Sequence, residues 1–204
     1  MDILVVAASR DEIAPSLGFL EEHNTRFLIS GVGMLQTAFS LGAALQEKRA
    51  DLIIQVGIGG ILDPAATLGE VYQITHEEIF DFGAQDHIDF LSMESLGLAR
   101  GSFSQRIPSG LELPSLRLAR GITVNTVHGN QQSIRALASR YPVALVESME
   151  GAAAFFAAEQ TQTAVLQYRA ISNYIEPRNR QGWAIGPAVA NLNRFLQQFL
   201  SGIG

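Results

Sequence analysis

The sequence predicts an α/β fold with a central, mostly parallel (mixed) twisted sheet flanked by helices. Three observations predict it: short β-branched apolar runs recur along the chain, several lead into segments with helical spacing, and glycines close two of the runs. Residues 2 to 8, DILVVAA, open the series as a strand buried on both faces. FLIS at 27 to 30 is the second, passing through GVG at 31 to 33 into a helix from about Leu35 to Gln46. DLIIQVGIGG at 51 to 60 is another buried run ending in glycines, and GEVYQIT at 69 to 75 alternates as a strand does. GITVNTVHG at 121 to 129 and PVALVES at 142 to 148 add two more, the latter feeding an alanine-rich helix, MEGAAAFFAAEQ. TAVLQYRAIS at 163 to 172 is the last strand. Ile185, Val189, Leu192, Leu196 and Phe199 then recur at helical spacing and should lay one apolar face on the sheet. From about 80 to 118 polar loops, prolines and glycines interrupt the pattern, leaving room for a lid or an oligomer contact.

Composition narrows the function. At 204 residues, 47% hydrophobic and 17% charged, the chain suits one well-filled domain spanning 1–204. A net charge of -6 and a pI near 5.2 would repel a phosphate backbone, and no basic run offers an exception, so no nucleic-acid partner is expected. There are no cysteines, which removes disulfides and thiolate metal sites. The opening MDILVVAASRDE is too short and too acidic for a signal segment, and no span approaches a membrane helix. A soluble, cytoplasmic protein without a membrane partner is the expectation.

In an open α/β sheet, ligands bind beyond the carboxyl ends of the strands, where glycines let the backbone approach. Both GVG and GIGG (57 to 60) fall there, yet neither matches a dinucleotide or triphosphate fingerprint, so from the glycines alone a tight strand-to-helix turn with positive φ is the preferred account of each. Ser9 and Glu12 have the S-x-x-E spacing of a capping box, with Pro15 fitting the first turn of a helix that starts later. Alternatively Glu12 is a carboxylate at the mouth of the first strand, able to take a proton from water. Glu150 stands where a buried strand meets an apolar helix; the helix dipole would welcome it in the first turn, and a sugar diol could also use it. Glu147 lies beside it. The histidines His23, His76, His87 and His128 show no metal-binding pairing, and Asp81, Asp86, His87 and Asp89 read as a solvated loop, so neither metal nor cofactor is expected.

The segments AASRDEI, SGVGMLQTA, IIQVGIGGIL, TVNTVHG, VESMEGAA and RAISNYIEPRNRQGW, in that order, resemble the purine nucleoside phosphorylase and nucleosidase superfamily, and within it the bacterial futalosine hydrolases of menaquinone biosynthesis. The resemblance covers nearly the whole chain and implies a three-layer phosphorylase/hydrolase-like fold and N-glycosidic bond hydrolysis. By position, it implies that Glu12 activates water, that Met149 and Glu150 hold the ribose, and that Trp183 lies against the nucleoside. Gly59 and Val127 are further expected substrate contacts. Asn173 stands where the adenine-releasing nucleosidases have aspartic acid and where 6-oxopurine phosphorylases have asparagine, which suits hypoxanthine. Arg178 and Arg180 are candidates for a substrate carboxylate. Ile58, where related enzymes often have serine, and Arg10 as the only nearby basic residue, speak against a phosphate pocket. A phosphorylase, a methylthioadenosine/adenosylhomocysteine-type nucleosidase and a purine-nucleoside binding protein without chemistry remain the alternatives. Relatives of this kind are homo-oligomers, so a homodimer is expected.

Overall fold

The computed structural model describes residues 1–141 and 144–203. In chain order the elements are β1 (Ile3–Ala7), α1 (Arg10–Ile13), α2 (Leu17–Glu22), β2 (Arg26–Ile29), α3 (Met34–Glu47), β3 (Leu52–Ile61), β4 (Val71–Ile79), β5 (Gly83–Asp86), β6 (Asp89–Ser92), β7 (Ser102–Ser104), β8 (Arg117–Thr123), α4 (Gln131–Arg140), β9 (Leu145–Ser148), α5 (Gly151–Thr161), β10 (Ala164–Tyr174) and α6 (Ile185–Gly202). Pro142 and Val143, the start of the strand expected at 142 to 148, lie outside the described residues.

Alternation along the central strands builds three layers. Val5, Ala7, Leu52, Ile54, Leu166 and Tyr168 face one way and bury Ala188, Leu192, Leu196 and Phe199 of α6. Their neighbours Leu4, Val6, Ile53 and Val165 face the other way, onto Leu41 and Leu45 of α3 and the small residues Ala152, Ala154 and Ala158 of α5. A strand loaded on both faces must be apolar throughout, which is why the period-two signal was absent there. Of the residues expected to form the α6 stripe, Ile185 departs: it is exposed and sits at the rim of the pocket described below.

The sheet is mixed. β1 lies parallel between β2 and β3, and β10 runs parallel to β3, while β10–β4, β3–β9 and β4–β7 are antiparallel. β3 keeps β10 along one edge and offers the other first to β1, at Leu52–Gln55, and then to β9, at Gly60 and Ile61. Because β4 pairs with β10 and β8, and β8 with β9, the path β10-β4-β8-β9-β3 closes on itself, which the strand pattern alone did not indicate.

Two expected elements are corrected. The 121 to 129 strand begins earlier and ends at Thr123: its first half alternates exposed Leu118 and Arg120 with buried Ala119 and Gly121, and residues 124 to 129 leave the sheet as a loop. GIGG is not a strand-to-helix turn. Gly57, Gly59 and Gly60 lie within β3, none with positive φ, and the next element is a strand. GVG fits the turn reading, with Gly31 at φ 86° and Gly33 at φ 96° leading into α3. The weakly patterned stretch holds the β5–β6 hairpin, whose Asp81, Asp86, His87 and Asp89 are solvent-exposed as expected. Among the described residues no group of acidic or histidine side chains could hold a metal, and no helix is long and apolar enough to cross a membrane.

Candidate active site

A pocket of about 270 Å³ opens at the carboxyl ends of β1, β3, β9 and β10. Glu12, Gly59, Met149, Glu150 and Asn173 form its inner wall, and Val127, Arg178 and Trp183 its outer part. Arg180 is not part of the lining.

Glu12 caps α1 and faces the pocket at the same time. Its Oε2 accepts from the Ser9 N–H at 3.0 Å and from the Ser9 hydroxyl at 3.3 Å, the acidic half of the capping box on α1. Its Oε1 accepts from the Ile58 N–H at 3.0 Å, across to β3, and the side chain still reaches the pocket. α6 fixes the backbone as well: buried Asn193 donates to the Glu12 carbonyl at 2.8 Å. Pro15 takes an early position in the short 3₁₀ turn Ala14–Ser16. The carboxylate is therefore aimed before any substrate arrives, which is what a water-activating base needs.

Glu150 was expected in the first turn of α5. It occupies the N-cap instead, and its side chain makes no bond to the helix end. Oε1 accepts from the Gly33 N–H at 3.1 Å, so the positive-φ turn of GVG points an amide at this carboxylate. Oε2 meets Arg169 Nη1 at 3.3 Å, and both side chains are almost fully buried. Arg169 also donates to the Ile58 carbonyl at 3.3 Å, and its Nε donates to Gln167 at 2.8 Å. Gln167 in turn donates to Glu77 at 2.9 Å, and Glu77 accepts a second bond, from Thr123, at 2.9 Å.

This buried chain holds two carboxylates against one guanidinium. Burial pushes the Glu77 carboxyl up to about 7, against the opposing pull of Arg169. A proton at Glu77 leaves Arg169 and Glu150 as a balanced pair. Gly57 completes the arrangement, since a Cβ there would lie 2.4 Å from Arg169 Nη1 and 2.8 Å from Glu12 Oε1. The glycine in β3 thus brings the backbone against two charged groups at once.

A β-bulge sets Asn173. Ile171 pairs with Gly59 and Asn173 with Gly60, so Ser172 is an extra residue in β10. The Asn173 Oδ1 accepts from the Ser172 hydroxyl at 2.8 Å, and its amide donates to the Tyr174 carbonyl at 3.0 Å. A carbonyl only accepts, which fixes the amide nitrogen on that side and leaves it one hydrogen for a ligand. At the rim, Arg178 and Arg180 lie over the Trp183 ring, at 5.3 and 5.9 Å. Their guanidinium groups are exposed, and Arg178 is the one that reaches the lining.

Sequence reasoning missed four members of this neighbourhood. Arg169, not Arg10, is the basic residue closest to the carboxylates, and a cation inside the buried run QYRAIS was the available signal. Glu77 and Gln167 carried a weaker version of that signal, as polar residues on strands buried on both faces. His128 was passed over because its partner, Glu147, is a carboxylate rather than a second histidine.

The sequence pattern of the phosphorylase superfamily matches residues 16–201. A futalosine hydrolase of Streptomyces coelicolor is 34% identical over 175 residues, covering 81% of this chain and 74% of the relative. Another, of Acidothermus cellulolyticus, is 32% identical, covering 93% of this chain and 85% of the relative. The chain belongs to the phosphorylase superfamily, in its futalosine hydrolase family. A solved futalosine hydrolase of Helicobacter pylori superposes with a TM-score of 0.81, covering 98% of this chain and 97% of its own, at 13% identity. At that identity the match speaks for the fold, including the three layers and the mixed sheet expected from the sequence. The superfamily match starts after Glu12, so that residue's assignment rests on the geometry above.

Proposed function

We propose that this protein hydrolyses the N-glycosidic bond of futalosine, releasing hypoxanthine and dehypoxanthine futalosine for menaquinone biosynthesis. The observation that carries the mechanism is the pairing of Glu12 and Glu150 in one pocket, each held by backbone amides and each open to a ligand. Met149 and Glu150 hold the ribose, with Glu150 accepting from its hydroxyls. Glu12 orients water and takes its proton as the glycosidic bond lengthens toward an oxocarbenium-like state. Asn173 gives its remaining amide hydrogen to the base, whose carbonyl an ionised carboxylate would repel. Gly59 and Val127 flank the nucleoside, and Trp183 lies against it.

Hydrolysis is favoured over phosphorolysis by the charges present. Arg169 Nη1 is engaged by Glu150 and the Ile58 carbonyl, Arg169 is not part of the pocket lining, and Ile58 offers no hydroxyl, so among the described residues Arg178 is the only lysine or arginine lining the pocket. Arg178, with Arg180 behind it, receives the carboxylate at the far end of futalosine. A homodimer in the cytoplasm, built from one domain per chain and needing no metal or cofactor, completes the reading. The test is a substrate comparison: hypoxanthine release from futalosine should greatly exceed release from inosine, and methylthioadenosine should yield no adenine. Equal rates on futalosine and inosine would reject the carboxylate assignment, and preference for methylthioadenosine would reject the proposed substrate.

A further inference from the structure

The nucleosidase reading leaves one proton unassigned. When the bond between sugar and base breaks, its electron pair stays on the base, and Asn173 cannot protonate what it holds. A second polar pair reaches the same pocket. The Glu147 carboxylate accepts from the His128 backbone N–H, at 3.1 and 3.3 Å to its two oxygens, and also from His128 Nδ1. Both side chains are more than nine-tenths buried, and both residues line the pocket. Phe80 meets the imidazole edge-on, with centroids 4.9 Å apart, and so fixes its plane. Since a carboxylate only accepts, Nδ1 carries a hydrogen. Among the described residues Nε2 has no hydrogen-bond partner.

Strand register places this pair opposite Asn173. Gly60 of β3 pairs with Glu147 of β9 on one side and with Asn173 of β10 on the other, so the three stand at one level. In-register neighbours point to the same face, and two strand spacings put the Glu147 and Asn173 backbones on the order of 10 Å apart. Gly60 leaves the floor between them open. A Cβ there would already lie 3.0 Å from the Asn173 amide nitrogen. Glu147, the partner of His128, thus lies across Gly60 from Asn173.

We propose that His128, oriented by Glu147, is the proton donor to the departing base. This rests on the nucleosidase reading above. The glycosidic C–N bond breaks with its pair going to the base, and a base nitrogen takes the Nε2 proton of the imidazolium. Water attacks the anomeric carbon and gives its proton to Glu12. Glu12 then releases a proton to solvent and the imidazole takes one back, so the cycle balances as nucleoside plus water to sugar plus base. Glu147 is a positioning residue: it acts by holding Nδ1, and thereby Nε2.

The experiment measures hypoxanthine release from futalosine by the wild type, His128→Asn, Glu147→Gln and the double variant. His128→Asn should lower kcat by ~10²- to 10⁴-fold with KM changed less than about threefold, as for a group acting only in the transition state. Glu147→Gln should lower kcat by about tenfold or more, also with KM held, and the double variant should be no slower than His128→Asn, because the two act as one unit. A His128→Asn rate within about threefold of wild type, or losses that multiply in the double variant, would overturn the proposal. Should His128→Asn not fold, the shape-preserving Glu147→Gln decides alone, an unchanged kcat overturning the assignment. Failure of the wild type to release hypoxanthine would instead reject the nucleosidase reading itself.

Discussion

The floor and the rim of the pocket are built on different principles. On the floor, Glu12 and Glu150, with Arg169 buried behind them, are bonded to backbone groups of β3 and the GVG turn, so their positions are settled by folding. At the rim, Arg178 and Arg180 rest on Trp183 with their charges in solvent, and among the described residues neither forms an ion pair. Preorganised groups stabilise a transition state without reorganising, whereas solvated, long side chains adjust to a ligand and lose entropy when they do. The floor should therefore control turnover and the rim should control substrate choice.

The sharpest way to break that division is Glu12→Gln, which should remove ~10²- to 10⁴-fold of kcat while thermal unfolding shows a retained fold. Near-normal turnover would take Glu12 out of the mechanism. Gly57→Ala comes next. Its methyl would collide with Arg169 and Glu12, and a displacement of about 1 Å in such groups can lower the rate about 10²-fold. An unaffected variant would show that the floor relaxes easily. At the rim, the Arg178→Ala, Arg180→Ala double variant should raise the futalosine KM about tenfold, the size of a partly solvated charged hydrogen bond, and leave the inosine KM unchanged. Equal shifts on both substrates would end the distinction between floor and rim.

The smallest effect on turnover is expected of Glu77, whose influence shows in stability. Its folded pKa, about 7, lies above the ordinary value of 4.5. The folded chain thus keeps a proton that the unfolded chain releases, and this contribution, present below pH 4.5, is lost as pH rises to about 7. Denaturant unfolding should accordingly show Glu77→Gln flattening the decline of stability across that window. A wild-type stability that does not decline there would remove the buried proton from the account.

How legible was this in the sequence? The α/β sheet with α6 laid on it was, because buried strands and the α6 stripe are written in apolar spacing that packing obeys, while the three layers were implied by the family resemblance. Ring closure was not, since the two partners on one edge of β3 depend on sheet twist rather than on residue pattern. Glu12 shows why local spacing left its role open: the same carboxylate caps α1 and faces the pocket, and only the approach of Ile58 joins the two. GIGG was misplaced because its glycines serve close approach by Arg169, Glu12 and Asn173, contacts from over a hundred residues away in the case of β10. His128 and Glu147 are separated by α4, so their pairing appears only once β8 and β9 lie side by side.

The measurement that tests the central claim most directly is base release from futalosine by the purified protein in phosphate-free buffer, followed by chromatography. Prompt appearance of hypoxanthine, at a rate unchanged when phosphate is added, is the predicted result. Release only in the presence of phosphate, or no release in either buffer, would contradict it.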